Sequence, residues 1–375
     1  GLDEDGGTVV DSPIGTGSDL VDGTWNRWQF RAEQTTGSTV TWTIAWWHVG
    51  TGGGHVTGSY TGTVGRITRV QSPNPYNSQL QGMRIGHVAV FAGLQAGAFD
   101  LADGGFTGDA AAARMRRLST EERLTFATSA AVGTTQAMGP QRPATLLDLL
   151  AECADADGGI LLELRDVAGL AYRPRVALYN QTPALQLDYA AGHIAPDLEP
   201  QDDDQTLRND ITVSRPSGSS ARAVLEDGPL SVQPPPGGVG LYDESTTVNV
   251  ATDAQLDGIA WWRLHLATTD EVRYPVVRLN LRSTHIQSHL QGYLDRLDVG
   301  GRITVANPPP WVPPGAIDLI VQAYTETIGQ YEWTVELTCT PASPWTVGAL
   351  PTDAAPAPDA AVRADTDGSL LYGAL

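Results

Sequence analysis

Residues 143–189 combine a helical repeat, a glycine stop and a strand hairpin, and this combination constrains the fold more than any other stretch. Thr145 is a typical helix N-cap, and the leucines that follow it give the predicted helix an apolar side. Gly158 and Gly159 end that helix, and residues 160–176 then alternate as two strands around a turn. The stretch contains no nucleophile, phosphate loop or metal-ligand spacing. This stretch therefore predicts a structural role rather than a catalytic one.

The composition favours a β-rich chain with a sizeable core. Of 375 residues, 41% are hydrophobic and only 18% are charged, and glycine (41) and proline (25) are abundant. Such usage is typical of proteins built from many short strands and turns. The length predicts about two or three domains.

The strongly negative net charge argues against nucleic acid as a partner. The formal net charge is −20, and all 23 basic residues are arginine. Contacts to phosphates need clustered arginine or lysine, so we expect no nucleic-acid recognition. No apolar run reaches the roughly 18 residues of a membrane span, and we expect none.

Residues 1–104 are predicted to form strands, at 24–31, 39–46 and 83–91. The first two of these contain most of five tryptophans that lie close together: Trp25, Trp28, Trp42, Trp46 and Trp47. One interpretation is that they fill a sandwich core or a subunit contact; the other is that Trp25, Trp28, Trp46 and Trp47 bind a glycan. Because strand side chains alternate, Trp46 and Trp47 cannot share a face, and neither can Trp25 and Trp28.

Residues 105–345 mix helices with strands, and residues 346–375 read as a linker or disordered tail rich in Ala, Pro and Asp. Helices are predicted at 109–124, 144–157 and 284–297. The first carries a basic cluster, which is either a solvated face or a docking patch: Arg114, Arg116 and Arg117. An acidic loop includes Asp202, Asp203 and Asp204. The two sets are candidates for complementary patches at a subunit interface.

The sequence offers no catalytic constellation. His285 and His289 have the i, i+4 spacing of metal ligands, but Ile286 stands where a zinc protease needs its glutamate, so we expect no metal. Nothing selects a carboxylate pair for glycoside hydrolysis, and no Gly-x-Ser-x-Gly elbow is present. Cys153 and Cys339 are expected to be free thiols. We therefore expect neither an enzyme nor a cofactor.

The motif Asp22-Gly23-Thr24-Trp25 and the later run Ile85-Gly86-His87-Val88-Ala89-Val90-Phe91 resemble the laminin-G or concanavalin-like jelly roll. The match covers the later half of such a sandwich. We therefore expect the missing front half to lie upstream of Gly1, which agrees with the absence of an initial methionine.

A series of segments further along the chain is more specific because its members keep their order and spacing. It comprises the helix and hairpin at 146–176, the strand at 207–213 and the closing runs at 297–305, 317–323 and 333–337. Residues 143–341 thereby resemble the tail-tip hub proteins of long-tailed bacteriophages, which are related to the baseplate hubs of contractile injection machines. The jelly-roll-like front departs from that pattern.

The resemblance implies a mainly β fold with α+β parts: a β-sandwich-like N-terminal segment, then hub-like antiparallel domains with a few helices. It implies a structural virion protein of the tail tip that acts in tail assembly and host attachment. The implied partners are two further copies in a homotrimer, other tail proteins (distal tail, tape measure, tail fibre) and a host-surface glycan. The alternative function is a carbohydrate-binding protein or glycan hydrolase with a β-sandwich module.

Overall fold

The computed structural model describes residues 26–50, 52–66, 88–91, 93, 99–201, 205–349, 362–364 and 369–372. Strands make up 35% of the chain and helices 22%, which confirms the prediction of a mainly β fold with α+β parts. The chain forms two compact units, Gly1–Thr107 with Pro140–Pro143 and Gly108–Gly139 with Ala144–Leu375. No described helix has the length and apolar content needed to cross a bilayer.

The first unit is built on a three-stranded antiparallel sheet in the order β1-β2-β3. Its strands are β1 (Asn26–Thr36), β2 (Thr39–His48) and β3 (Gly52–Thr61), and a short helix, α1 (Asp100–Asp103), follows. The strands at 24–31 and 39–46 predicted from alternation correspond to β1 and β2. The third predicted strand, at 83–91, lies mostly outside the described residues.

The second unit contains the other described α-helices and most of the described sheets. Its α-helices are α2 (Ala111–Glu121), α3 (Leu146–Asp157), α4 (Leu256–Ala267) and α5 (Leu290–Arg296). Its strands are β4 (Thr125–Thr128), β5 (Ile160–Glu163), β6 (Gly169–Arg173), β7 (Leu185–Asp188), β8 (Asp210–Ser214), β9 (Ser220–Val224), β10 (Asp243–Thr247), β11 (Val276–Asn280), β12 (Arg302–Ala306), β13 (Ile317–Ile328), β14 (Trp333–Pro341), β15 (Gly348–Ala349), β16 (Val362–Ala364) and β17 (Ser369–Tyr372).

Short 3₁₀ helices connect several of these elements. They are Val132–Thr134, Arg175–Ala177, Asp253–Gln255, Thr284–His289 and Ser343–Trp345. The predicted helix at 284–297 is thus a 3₁₀ segment that continues into α5.

Helix α3 begins and ends where its sequence predicts. The Thr145 hydroxyl accepts a hydrogen bond from the Asp148 amide at 3.3 Å, as an N-cap does. Gly158 closes the helix with φ of +76°, a left-handed conformation that favours glycine. The antiparallel hairpin β5–β6 follows as predicted.

The largest sheet has five strands in the order β11-β14-β13-β12-β7 and holds one of the two main cores. The other main core lies where α2, α3 and α4 pack with the sheet β10-β8-β9. Most strand pairs are antiparallel, but β4–β6, β8–β10 and β7–β12 are parallel. Local alternation predicts strands and cannot reveal these parallel pairings.

The strand motif at 207–213 begins with polar residues, and one of them, Asn209, has a buried side-chain amide. The Asn209 side chain donates to the carbonyls of Leu230 at 3.0 Å and Gly240 at 2.7 Å, and accepts from the Tyr242 amide at 2.8 Å. Buried polar groups need such partners, so Asn209 fixes the long loop between β9 and β10. Its role is structural.

Candidate functional site

The candidate site is one face of the three-stranded sheet in the first unit. Strand residues alternate between faces, and directly paired residues share a face. The register pairs Trp28 with Trp46, Phe30 with Ile44, and Ala32 with Trp42. We call the side carrying Trp28, Phe30, Trp42 and Trp46 the aromatic face.

Two glycines on β3 let the indole rings lie close to the sheet. Gly54 pairs with Trp46 and Gly58 with Trp42. A Cβ added at Gly54 would stand 2.7 Å from the Trp46 ring, and one at Gly58 would stand 2.5 Å from the Trp42 ring. Any larger residue would clash with the rings, so glycine at these two positions leaves room for the rings over β3.

Part of the aromatic face is open to solvent. Trp28 is 47% exposed and Phe30 is 51% exposed, whereas Trp42 is buried. The rings of Trp28 and Trp46 lie 6.1 Å apart at a tilt of 37°. These exposed rings make the aromatic face the candidate surface for contact with a ligand or another protein.

The structure separates the tryptophans that were predicted to bind a glycan. Trp28 and Trp46 lie together on the aromatic face, whereas Trp47 lies on the opposite face. There the Arg27 guanidinium covers the Trp47 ring at 3.8 Å and pairs with Asp103. Trp47 therefore lies outside the aromatic face, as the alternation predicts, and glycan binding by Trp28 and Trp46 stays a prediction. Trp25 lies outside the described residues.

The opposite face of the sheet is polar around the covered Trp47. Thr43 pairs with Thr57 and Thr41 with Ser59 across β2 and β3. The sequence contained the signal for this division, because the threonines at 39, 41 and 43 alternate with apolar residues at 40, 42 and 44.

The predicted interface arginines in α2 do not act as one patch. Arg114 is completely buried, and its guanidinium donates to the Gly139 carbonyl at 2.8 Å. It thus belongs to the core of the second unit rather than to a solvated face or a docking patch, because α2 turns this side toward α3. Arg116 is exposed, and Arg117 pairs with Glu121 at 3.1 Å. Asp202, Asp203 and Asp204 lie outside the described residues.

The largest pKa shifts in the second unit belong to buried cysteine thiols and tyrosine hydroxyls. Burial raises the pKa of the Cys153 and Cys339 thiols to about 12, so neither is a thiolate at neutral pH. Burial and the neighbouring Asp157 carboxylate raise the pKa of Tyr172 above its usual range. Within the described ranges no group of three His, Cys, Asp or Glu side chains could hold a metal ion.

A cavity of about 340 Å³ lies between the end of α3 and α4. Its lining includes the pair Arg263 and Asp155, joined at 2.7 Å, and the buried Trp262. Asp157 and Arg175 also line it, and the Asp157 carboxylate accepts from the Tyr172 hydroxyl and from the Gln136 and Arg175 backbone amides.

No family model matches this chain, and no curated protein matches it in sequence. Among solved structures it is similar to the tail protein from Neisseria meningitidis MC58. The identity is 12%, the match covers 62% of this chain and 67% of that chain, and the TM-score is 0.42. A distant structural neighbour is thus a tail protein, at a similarity too low to carry an argument about this chain.

Proposed function

We propose that this chain is a structural protein of a phage tail, located at the tail tip and acting in tail assembly and host attachment. What supports the proposal most is the ordered series of segments at 146–176, 207–213, 297–305, 317–323 and 333–337, which resembles tail-tip hub proteins. The likeness to the Neisseria tail protein points the same way but does not support it independently.

The two units differ in how much apolar surface they bury, and this difference is consistent with such a role. The second unit buries two large apolar cores. The first unit keeps aromatic side chains in contact with solvent. A scaffold with one open apolar face suits a component that works by contact with other molecules.

We further propose that the chain assembles as a homotrimer and contacts the distal tail, tape-measure and tail-fibre proteins. A closed ring uses heterologous interfaces, so each subunit presents two different surfaces. Arg116 and Arg117 with the acidic residues Asp202–Asp204 remain candidates for complementary charged patches, without Arg114.

An enzymatic role has little support in the described part of the chain. The strongly perturbed side chains there are buried thiols and phenols with structural partners. Catalytic acids and nucleophiles instead sit in clefts with pKa values matched to their reaction.

A carbohydrate-binding role is the second candidate, and the exposed rings of Trp28 and Phe30 favour it. Sugar rings carry apolar C–H faces that pack on exposed indole and phenyl rings. This role is compatible with host attachment, because a tail tip can meet glycans on the cell surface.

The first test is mass spectrometry of purified phage particles whose genome encodes the chain. The proposal predicts peptides of this chain in the particle at a low, fixed ratio to the major tail protein. Particles that contain the major tail protein and lack this chain would refute the tail role. A glycan array then tests the second candidate on the isolated chain.

A further inference from the structure

Three histidines from distant parts of the sequence converge at one edge of the five-stranded sheet. His193 follows β7, and His285 and His289 lie on the 3₁₀ segment Thr284–His289. The rings of His193 and His289 are 4.4 Å apart. The His285 ring lies against Gly192, where an added Cβ would meet it at 3.4 Å.

Hydrogen bonds to the backbone define which ring nitrogens carry protons. The Asp188 amide donates to Nδ1 of His193 at 3.0 Å, so that nitrogen must keep its lone pair. Nε2 of His289 lies 2.9 Å from the Gln186 carbonyl oxygen, which only accepts, so Nε2 carries a hydrogen. Nδ1 of His289 lies 3.0 Å from the Ser288 hydroxyl, which can donate or accept.

The bond from His289 covers the outer edge of the sheet. Strand β7 pairs only with β12 in the described sheet, which leaves its other edge without a strand neighbour. The Gln186 carbonyl lies on β7 and is bonded by the His289 ring instead. An uncovered strand edge is a template for pairing with another chain.

The two rings respond differently to acid. His289 can gain a proton at Nδ1 and still donate from Nε2 to Gln186. His193 can gain its second proton only at Nδ1, which destroys the bond from the Asp188 amide. It would also place two cationic rings 4.4 Å apart, with His285 as a third nearby.

The other charged group facing the cluster is Asp188. Its carboxylate accepts from the Asn307 amide at 2.7 Å and the Ala191 backbone amide at 3.1 Å, which lower its pKa. Burial and the charges of His289 and His285 lower the pKa of His193, although Asp188 opposes them. The neutral form of His193 is thus the one that this arrangement stabilises.

We infer that His193, His285 and His289 form an acid-sensitive latch. The latch covers the edge of β7 while the rings are neutral, and it releases that edge when His193 and His289 each gain a second proton and become cationic. Release separates the segment Thr284–His289 from the turn that carries His193. It leaves the β7 edge open to a strand from another chain. The inference is argued from the hydrogen bonds and ring distances and does not depend on the proposed tail role.

Amide hydrogen exchange of the full chain, followed by mass spectrometry, tests the latch. We compare about pH 7.5 with about pH 5, on either side of the ordinary histidine pKa near 6.5, after correction for intrinsic exchange rates. Peptides covering residues 186–194 and 284–290 should lose protection by about tenfold or more at the lower pH. A peptide from β14 serves as the reference, because its buried residues should stay protected.

Two variants make the test specific. In His193→Asn the side-chain amide oxygen takes the place of Nδ1 and can accept from the Asp188 backbone amide without gaining charge, so both peptides should stay protected at the lower pH. His55→Gln, on β3 of the first unit, should behave like the wild type. Equal protection of the wild type at both pH values, or the same loss in His193→Asn, would overturn the inference.

Discussion

The first unit has a three-stranded sheet and the second a five-stranded one. In both, apolar side chains alternate along the strands, but the two sheets differ in whether the apolar face is covered. In the second unit, Val335, Leu337 and Val321 point into a core and are fully buried. In the first unit, Trp28 and Phe30 occupy equivalent alternate positions and are about half exposed. The comparison teaches that an alternating apolar pattern predicts a strand and a face, but not whether the same chain covers that face.

The largest expected effect is the difference in free energy of unfolding between Leu337→Asp and Phe30→Asp. Leu337 is fully buried, so the substitution places an unpaired carboxylate in the core and should cost several kcal/mol, on the order of 4. Phe30→Asp should change the free energy of unfolding by less than about 1 kcal/mol, since its side chain already meets water. Urea denaturation followed by circular dichroism measures both. Equal losses would break the distinction between covered and open faces.

The next effect concerns Asp157, which organises the end of α3. Its carboxylate accepts from the Tyr172 hydroxyl at 2.6 Å and from two backbone amides, those of Gln136 at 2.9 Å and Arg175 at 3.3 Å. Asp157→Ala leaves these buried donors without an acceptor and should cost about 3 kcal/mol.

Asp155→Ala is the matched control on the same helix. Asp155 pairs with Arg263 at the surface, and such pairs contribute about 0–1 kcal/mol. Thermal unfolding of both variants under one condition gives the comparison. A smaller loss for Asp157→Ala than for Asp155→Ala would contradict the assignment of Asp157 as the buried hydrogen-bond centre.

A smaller effect should appear as a pH dependence of the second unit. Burial lowers the pKa of His265, whose Nε2 lies 3.1 Å from the Pro344 carbonyl. The unfolded chain then binds more protons at this residue than the folded chain. Stability should therefore fall as the pH drops through about 6.5 toward the lower folded pKa.

His265→Gln should flatten that part of the stability curve. Chemical denaturation between about pH 7.5 and about pH 5 measures the slope of each variant. An unchanged slope in the variant would assign the pH dependence to other groups, among them the His193 cluster.

The smallest effect on stability, and the most informative for the open face, is expected from Trp28→Ala. Because Trp28 is half exposed, the free energy of unfolding should change by about 1 kcal/mol or less. Binding of a glycan or partner to the aromatic face should be lost.

Tyr331→Ala is the control, since Tyr331 is more exposed and lies between β13 and β14 in the second unit. Pull-down of particle proteins and a glycan array should respond to Trp28→Ala and not to Tyr331→Ala. A Trp28→Ala variant that retains every contact would remove the aromatic face as the site.

Local signals predicted the elements whose causes are local. The Thr145 cap, the Gly158 stop and the leucines between them specify α3 within a short stretch, and the same holds for the hairpin after it. The alternation at 39–47 indicated that Trp46 and Trp47 lie on opposite faces. For these features the sequence was sufficient.

Features that depend on distant partners could not be predicted. Arg114 resembled a surface residue because Arg116 and Arg117 adjoin it, yet the fold packs it against the loop that ends at Gly139. Trp47 is covered by Arg27 across the β1–β2 pair, and His193 meets His289 only through the tertiary fold. Each needs a contact between segments whose separation no local pattern encodes.

The central claim is that this chain is a structural component of a tail tip. Electron cryo-microscopy of intact particles, with the chain located by difference against particles lacking it, tests this most directly. We predict density for the chain at the tail tip, with about three copies related by rotation about the tail axis. Particles whose tails are complete and identical with and without the chain would contradict the claim.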